Sequence, residues 1–343
     1  MQTWNIGIIG AGLIADFHAK AIQSLPNARL IGICGTNMQK VQNLSARYDC
    51  KAFKNEQELF EYGKPDIVTI TTPSGAHMEP AIEAARHGIH VLCEKPLDVT
   101  AERIGKMISA HEKAGTKLGG IFNYRYNDAV RLLKKTVESG RFGTLSCASV
   151  FVPWWRTDEY YQSSWRGTWK LDGGGALINQ SIHMVDLLQY MMGQVESIHA
   201  FIARPGHPQI EVEDTAVGIV RFRSKALGMI YGTTASFPGQ YRRLEITGTK
   251  GTVIMEDNSF KVWKFADKSE EDKEITRNFG MNEGGGGVSD PGAIPFQPHA
   301  KNIAAFIESV GNNSPFEIDG YEASKSVDII LRMYDSARKN GFI

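Results

Sequence analysis

The chain has 343 residues, more than most single hydrophobic cores hold, which predicts two domains. Its 38 basic and 38 acidic side chains cancel, which argues against nucleic acid or an anionic membrane surface as the main partner. No apolar run approaches the ~20 residues of a membrane helix, and the first strand-like run begins almost at Met1, with no room for a signal peptide. A cytoplasmic protein without a membrane partner is therefore expected. Cys34, Cys50, Cys93 and Cys147 form no CxxC pair, so neither a disulfide framework nor a metal site is expected.

In chain order, "NIGIIG", "RLIGIC", "DIVTIT", "IHVLCE" and "KLGGIF" are short apolar runs separated by amphipathic stretches such as "MQKVQNLSARY" and "TAERIGKMISAHEKAG". That alternation predicts βα units and a parallel sheet covered on both faces. Thr100 stands where a helix N-cap belongs. The first run leads into "GIIGAGLIADFHAKAI", a G-x-G-x-x-A pattern of Gly10, Gly12 and Ala15 between strand and helix. Gly10 suits the tight turn, Gly12 the approach of a pyrophosphate, and Ala15 close helix–strand packing. Leu13 and Ile14 open the helix whose N-terminus would face the phosphates. The second run should end in a carboxylate if an adenosine ribose is bound through its 2′-hydroxyl. Here Gly35, Thr36 and Asn37 stand at that point and Lys40 follows, donors that favour NADP over NAD. The fourth run stops on Glu94, Lys95 and Pro96. Ligands sit beyond the carboxyl ends of such strands, so Lys95 and Glu94 lie on the edge that carries the glycine turn.

The second half reads differently. After the helix "DAVRLLKKTVESG" come "TLSCASVFV", "VESIHAFIAR", "DTAVGIVRFR", "ALGMIYGTTAS", "RRLEITGT" and "GTVIMED", strand-sized runs joined by short turns, which predict mainly antiparallel pairing. One helix from about Ala176 to Met192 interrupts them, and helices near 299–310 and 321–338 close the chain. Residues 281–296 are Gly/Pro-rich and predict a loop. The expected architecture is α/β followed by α+β: a Rossmann domain over 1–122, and over 123–343 a substrate-binding and oligomerisation domain with a large, mainly antiparallel sheet. The C-terminal helices are free to pack back on the first domain.

Within "ALINQSIHMVDLLQYMM", Asn179, His183 and Asp186 fall at i, i+4 and i+7, a polar stripe on an otherwise apolar helix. Read alone, the stripe is either a buried network or the wall of a cleft. "PWWRTDEYYQSSWRGTWKLDGGG" gathers aromatic and arginine side chains of the kinds that stack on sugar rings and bind hydroxyls or carboxylates. Tyr124 and Arg125, just after the last strand of the first half, are candidates for the same cleft.

With "GIIGAGLIADFHAKAI", "EKPLDVT", "GGGALINQSIHMVDLL" and the ending "PHAKNIAAFIESV…SPFEIDGYEASKSVDII", the chain resembles the Gfo/Idh/MocA oxidoreductases, relatives of glucose–fructose oxidoreductase and inositol dehydrogenase. The resemblance implies that Lys95 stands near the nicotinamide and the reacting hydroxyl. It also implies cofactor contact at Thr72, Pro73 and His77, sugar contact at Trp165 and Arg166, and a homodimer or homotetramer. Family members usually carry an Asp at the position of Asn179; the amide here is no base, which leaves His183 as the proton acceptor, with Asp186 orienting its imidazole. Members that act on nucleotide-linked or uronic sugars are similar in carrying "NQ". The implied reaction is NAD(P)-dependent hydride transfer at a hydroxyl or ketone of a sugar, sugar derivative or polyol. A lyase, epimerase or glycosidase that retains its nucleotide, and a nucleotide-binding regulator, remain alternatives at this point.

Overall fold

Val, Ile and Leu dominate the strand runs of the first half, and such runs are stable only when both sheet faces are covered. The computed structural model describes residues 2–162, 165–280 and 296–339. It builds these runs into a six-stranded sheet: β1 (Trp4–Ile9), β2 (Ala28–Cys34), β3 (Lys51–Phe53), β4 (Ile67–Ile70), β5 (His90–Cys93) and β6 (Leu118–Gly120), in the order β3-β2-β1-β4-β5-β6. The pairings are parallel. This is the Rossmann order, and its reversal between β1 and β4 opens the crevice at which such sheets bind ligands. Helices Leu13–Gln23, Met38–Arg47, Met78–Arg86 and Ala101–Ala114 connect the strands. Thr100 does cap the last of these, accepting a hydrogen bond from the Arg103 backbone N–H.

The second sheet holds β7 (Leu145–Pro153), β8 (Val195–Ala203), β9 (Thr215–Phe222), β10 (Leu227–Thr233), β11 (Arg243–Gly248), β12 (Gly251–Glu256) and β13 (Ser259–Phe265). Its order is β13-β12-β11-β7-β10-β9-β8, antiparallel except where β10 runs parallel to β7. Strands β8, β9 and β10 alternate buried and exposed residues. Phe201, Val217, Tyr231 and Phe151 are cross-strand neighbours on one face, beside a row containing Ile219 and Met229. Phe201, Ile219 and Leu227 are 68%, 60% and 54% exposed, an apolar sheet face of the kind that marks an interface.

Contacts divide the chain into two compact units, Met1–Asn123 with Ile294–Val327, and Tyr124–Ala293 with Asp328–Ile343. Two local features depart from the sequence reading. The stretch expected as one helix from Ala176 is a wide, π-type turn over Ala176–Ser181 followed by an α-helix, Ile182–Met192. The π-type winding takes Asn179 out of α-helical register with His183 and Asp186, and Ser181 Oγ donates to the Ala176 carbonyl five residues back. A helix at Glu271–Phe279 has no buried residue, so no apolar stripe marks it in the sequence. The expected loop at 281–296 lies, but for its last residue, outside the described residues. Among the described residues no helix is long and apolar enough to cross a membrane.

Candidate active site

The glycine turn closes β1 onto the crevice. Gly10 has φ +111, and a Cβ there would lie 2.6 Å from Thr71 Oγ1 and 2.8 Å from the Thr71 carbonyl carbon, so only glycine fits beneath the end of β4. Gly12 is different. Its backbone is extended, and a Cβ would meet nothing within 4 Å. It is the N-cap of Leu13–Gln23 and offers no side-chain cap, while Ala15 is fully buried against the strand. Helix N–H groups without a side-chain cap, fronted by open space, form a site for a phosphate. The residues present therefore fit a dinucleotide. Thr36, Asn37 and Lys40 are exposed beyond β2, where Asn37 Oδ1 accepts the Lys40 N–H at 3.0 Å and caps the next helix.

At the end of β4, Thr72 donates to the Ala76 carbonyl, and Pro73 leads into a short 3-10 turn. His77, expected at the cofactor, is instead buried, with Nδ1 2.9 Å from the Pro96 carbonyl and Nε2 2.9 Å from the Thr72 carbonyl. Its ring braces the end of β4 against the Lys95–Pro96 turn, whose peptide is cis. Asp98, fully buried, accepts from Met78 N, Val99 N and Arg103 Nε and secures the same turn from below. Lys95 is half-buried. Burial alone would raise the Glu94 carboxyl, but the His18 hydrogen bond and the charges of His18, His299 and Lys95 outweigh it and hold it at about 2.

His183 belongs to the second unit. Its ring stacks on Tyr124 with centroids 4.3 Å apart. The Arg242 guanidinium covers the Tyr124 ring at 4.1 Å and donates to its hydroxyl at 3.0 Å. Arg242 is a residue the sequence reading passed over. Arg125 needs a correction: expected to bind substrate, it is 3% exposed and donates through Nε and Nη2 to the two oxygens of Asp186, at 2.7 and 2.5 Å. A bidentate pair buried this way has no face left for a sugar.

One turn earlier, Asn179 donates to Asp172 and accepts from Gln180 Nε2 at 3.0 Å. Gln180 also donates to Tyr160 Oη at 2.6 Å and accepts from Arg156 Nη2 at 3.0 Å. Arg166 lies over the Tyr160 ring at 3.9 Å and over Trp165 at 5.0 Å. Burial pushes the Tyr160 phenol up. Glu213, fully buried, accepts from Gly175 N, Leu177 N and Tyr334 Oη and so pins the start of the wide turn. Burial raises its carboxyl to about 7. Among these, Arg156, Gln180 and Glu213 were not chosen from the sequence. The "NQ" pair and the arginine beside two tryptophans were the available signals for the first two; nothing marked Glu213.

Comparison with known proteins follows the same division. Residues 4–121 match the model of an oxidoreductase family with an NAD-binding Rossmann fold, and residues 130–254 match the GFO/IDH/MocA C-terminal domain. The WlbA dehydrogenase of Bordetella pertussis, solved in complex with NADH and UDP-GlcNAcA, is 34% identical, with a TM-score of 0.89 over 99% of this chain and 97% of that one. A levoglucosan dehydrogenase of Pseudarthrobacter phenanthrenivorans is 29% identical over 74% of each chain. A myo-inositol 2-dehydrogenase of Thermotoga maritima is 29% identical over 74% of this chain and 75% of its own.

Proposed function

The chain belongs to the Gfo/Idh/MocA oxidoreductase family, and from that premise we propose that it is a nicotinamide-dependent dehydrogenase of a sugar hydroxyl whose substrate class is a UDP-linked sugar acid. The observation that carries the substrate class is the likeness, along nearly the whole chain, to an enzyme solved with UDP-GlcNAcA. In this reading residues 1–122 bind the dinucleotide and 123–343 bind the sugar and build a homo-oligomer.

The bound nicotinamide supplies the hydride acceptor. The backbone from Gly10 to Ile14 holds the pyrophosphate, and Thr72, Pro73 and Glu94 shape the crevice beside it. His183, whose Nδ1 is buried, takes the hydroxyl proton at Nε2. Lys95 holds the negative charge that develops on the oxygen. Asn179, fixed by Asp172 and Gln180, orients a hydroxyl without taking its proton. Asp186, charge-paired with Arg125, anchors the helix that carries His183. Trp165, Arg166 and Tyr124 form the sugar-facing surface. NAD(H) is the form bound to the relative; a second reading, NADP(H), is favoured by the absence of a carboxylate after β2 and the presence of Thr36, Asn37 and Lys40.

The sheet face of Phe201, Val217, Ile219 and Leu227 is assigned to a second copy of the chain. The test of the whole reading is nicotinamide absorbance with NAD⁺ and NADP⁺ separately, against UDP-linked sugar acids, other nucleotide sugars, free sugars and polyols. Multiple turnovers with a UDP-linked sugar acid are expected, with Lys95→Met and His183→Asn each slower by roughly 10²–10⁴-fold. Turnover only with unlinked sugars would refute the substrate class.

A further inference from the structure

Three buried titratable side chains meet at the turn that carries Lys95. They are His18 from the helix Leu13–Gln23, Glu94 from the end of β5, and His299 from the helix Gln297–Gly311, at 0%, 6% and 5% exposure. His18 Nε2 donates to Glu94 Oε1 at 2.8 Å, and Glu94 Oε2 accepts the backbone N–H of Lys95 at 3.1 Å. His299 Nε2 lies 3.8 Å from the same Oε1. The Asn123 amide nitrogen is 3.2 Å from His299 Nδ1; as the donor there, it leaves the ring proton on Nε2, the side facing the carboxylate. The three ligand-type atoms lie within 4.8 Å of one another, a spacing a metal ion can use. Here, however, His18 Nε2 and Glu94 Oε1 already stand at direct hydrogen-bond distance, so the carboxylate oxygen that a metal would use is taken up by the histidine.

Burying a carboxylate and its partners is seldom the best way to stabilise a fold, since apolar side chains of equal volume do as well or better. What this carboxylate does hold is the backbone of the one lysine the site depends on. We infer that His18 is a positioning residue: it fixes Glu94, and Glu94 fixes the Lys95 main chain, so that the ammonium is presented in one place. His18 is fully buried, so it touches no substrate and acts through the groups it contacts, of which Glu94 is the one it hydrogen-bonds. The inference rests on the reading of Lys95 as the site lysine.

Its test is a mutant cycle read as kcat and, separately, as the Kd for NADH. His18→Leu is expected to lower kcat by about 10²-fold, the cost of a reacting group displaced by about 1 Å, while leaving the Kd unchanged. His18→Gln, which keeps an N–H donor, is expected to recover most of the loss. In a Glu94→Gln background His18→Leu is expected to have no further effect, because the path runs through the carboxylate. Wild-type kcat in His18→Leu would overturn the inference, as would losses that add across the two sites, or a loss shared equally by kcat, Kd and melting temperature with no recovery in His18→Gln. If His18→Leu does not fold, the same cycle is run with His18→Met, which also lacks the N–H donor, and Glu94→Gln, and additive losses again overturn it. Lys95→Met is measured alongside. A Lys95→Met enzyme with wild-type turnover refutes the reading of the lysine itself, whereas an inactive Lys95→Met with unaffected His18 variants refutes only the positioning role.

Discussion

Gly10 and Gly12 stand two residues apart, yet alanine is expected to act on them in opposite ways. At Gly12 the backbone is extended and a Cβ meets nothing within 4 Å, so Gly12→Ala restricts only the unfolded chain. Stability should be unchanged or higher by about 0.4–1 kcal/mol. The same methyl stands where a pyrophosphate would approach the helix N-terminus. It should break one charge-assisted hydrogen bond, about 1.5–3 kcal/mol, which weakens dinucleotide binding by roughly 10- to 150-fold. At Gly10 the left-handed φ and the 2.6 Å approach to Thr71 make alanine strained and overpacked at once. That should cost about 1–3 kcal/mol for the backbone and a similar amount for the overlap. Urea denaturation and NADH fluorescence titration of both variants separate the two effects. A Gly12→Ala protein that binds NADH as tightly as wild type would refute the placement of the phosphates at this turn.

Three further outcomes follow from the packing. Arg125→Met leaves the buried Asp186 carboxylate without its guanidinium and should cost about 3–5 kcal/mol in urea denaturation; a loss below about 1 kcal/mol would show that the pair is not buried as described. Acid should destabilise the fold before the ordinary carboxylates titrate. Burial holds His111 and His299 down to about 4, so the unfolded chain binds their protons first, and their contribution is lost as pH falls from the usual histidine range towards 4. Glu213, raised to about 7, works the other way and gains stability over the same descent. Two protons against one leave a net loss of about 1.4 kcal/mol per pH unit between roughly pH 6.5 and 4.5, checked by urea melts across that window; a flat profile would contradict it. Ile219→Lys puts a charge in the exposed apolar sheet face and should reduce the mass in solution by light scattering if that face joins two copies; an unchanged oligomer would place the interface elsewhere.

What could be read in the sequence was local. The glycine turn declares itself because its residues, its strand and its helix are contiguous, and Lys95 because a charge at a strand end is placed by sheet topology. The networks that hold these residues are not local. His18 reaches Glu94 across 76 residues, Arg125 reaches Asp186 across 61, and Asn123 reaches His299 across 176. A lone histidine in a helix or an arginine after a strand carries no sign of such a partner, which is why Arg125 looked like a substrate ligand and His18 was not singled out. The wide turn at Ala176–Ser181 was hidden for the same reason: Glu213, which pins it, lies 38 residues from Gly175.

The central claim, hydride transfer from a sugar carbon to the nicotinamide, is tested most directly by isotope. The enzyme is incubated with NAD⁺ and UDP-GlcNAcA deuterated at its ring carbons, and the recovered dinucleotide is weighed by mass spectrometry. Deuterium accumulating in NADH in step with oxidised sugar, and much more slowly with Lys95→Met, is the predicted result. Product that forms while the recovered dinucleotide stays unlabelled would contradict a dehydrogenase and point to an enzyme that returns its hydride.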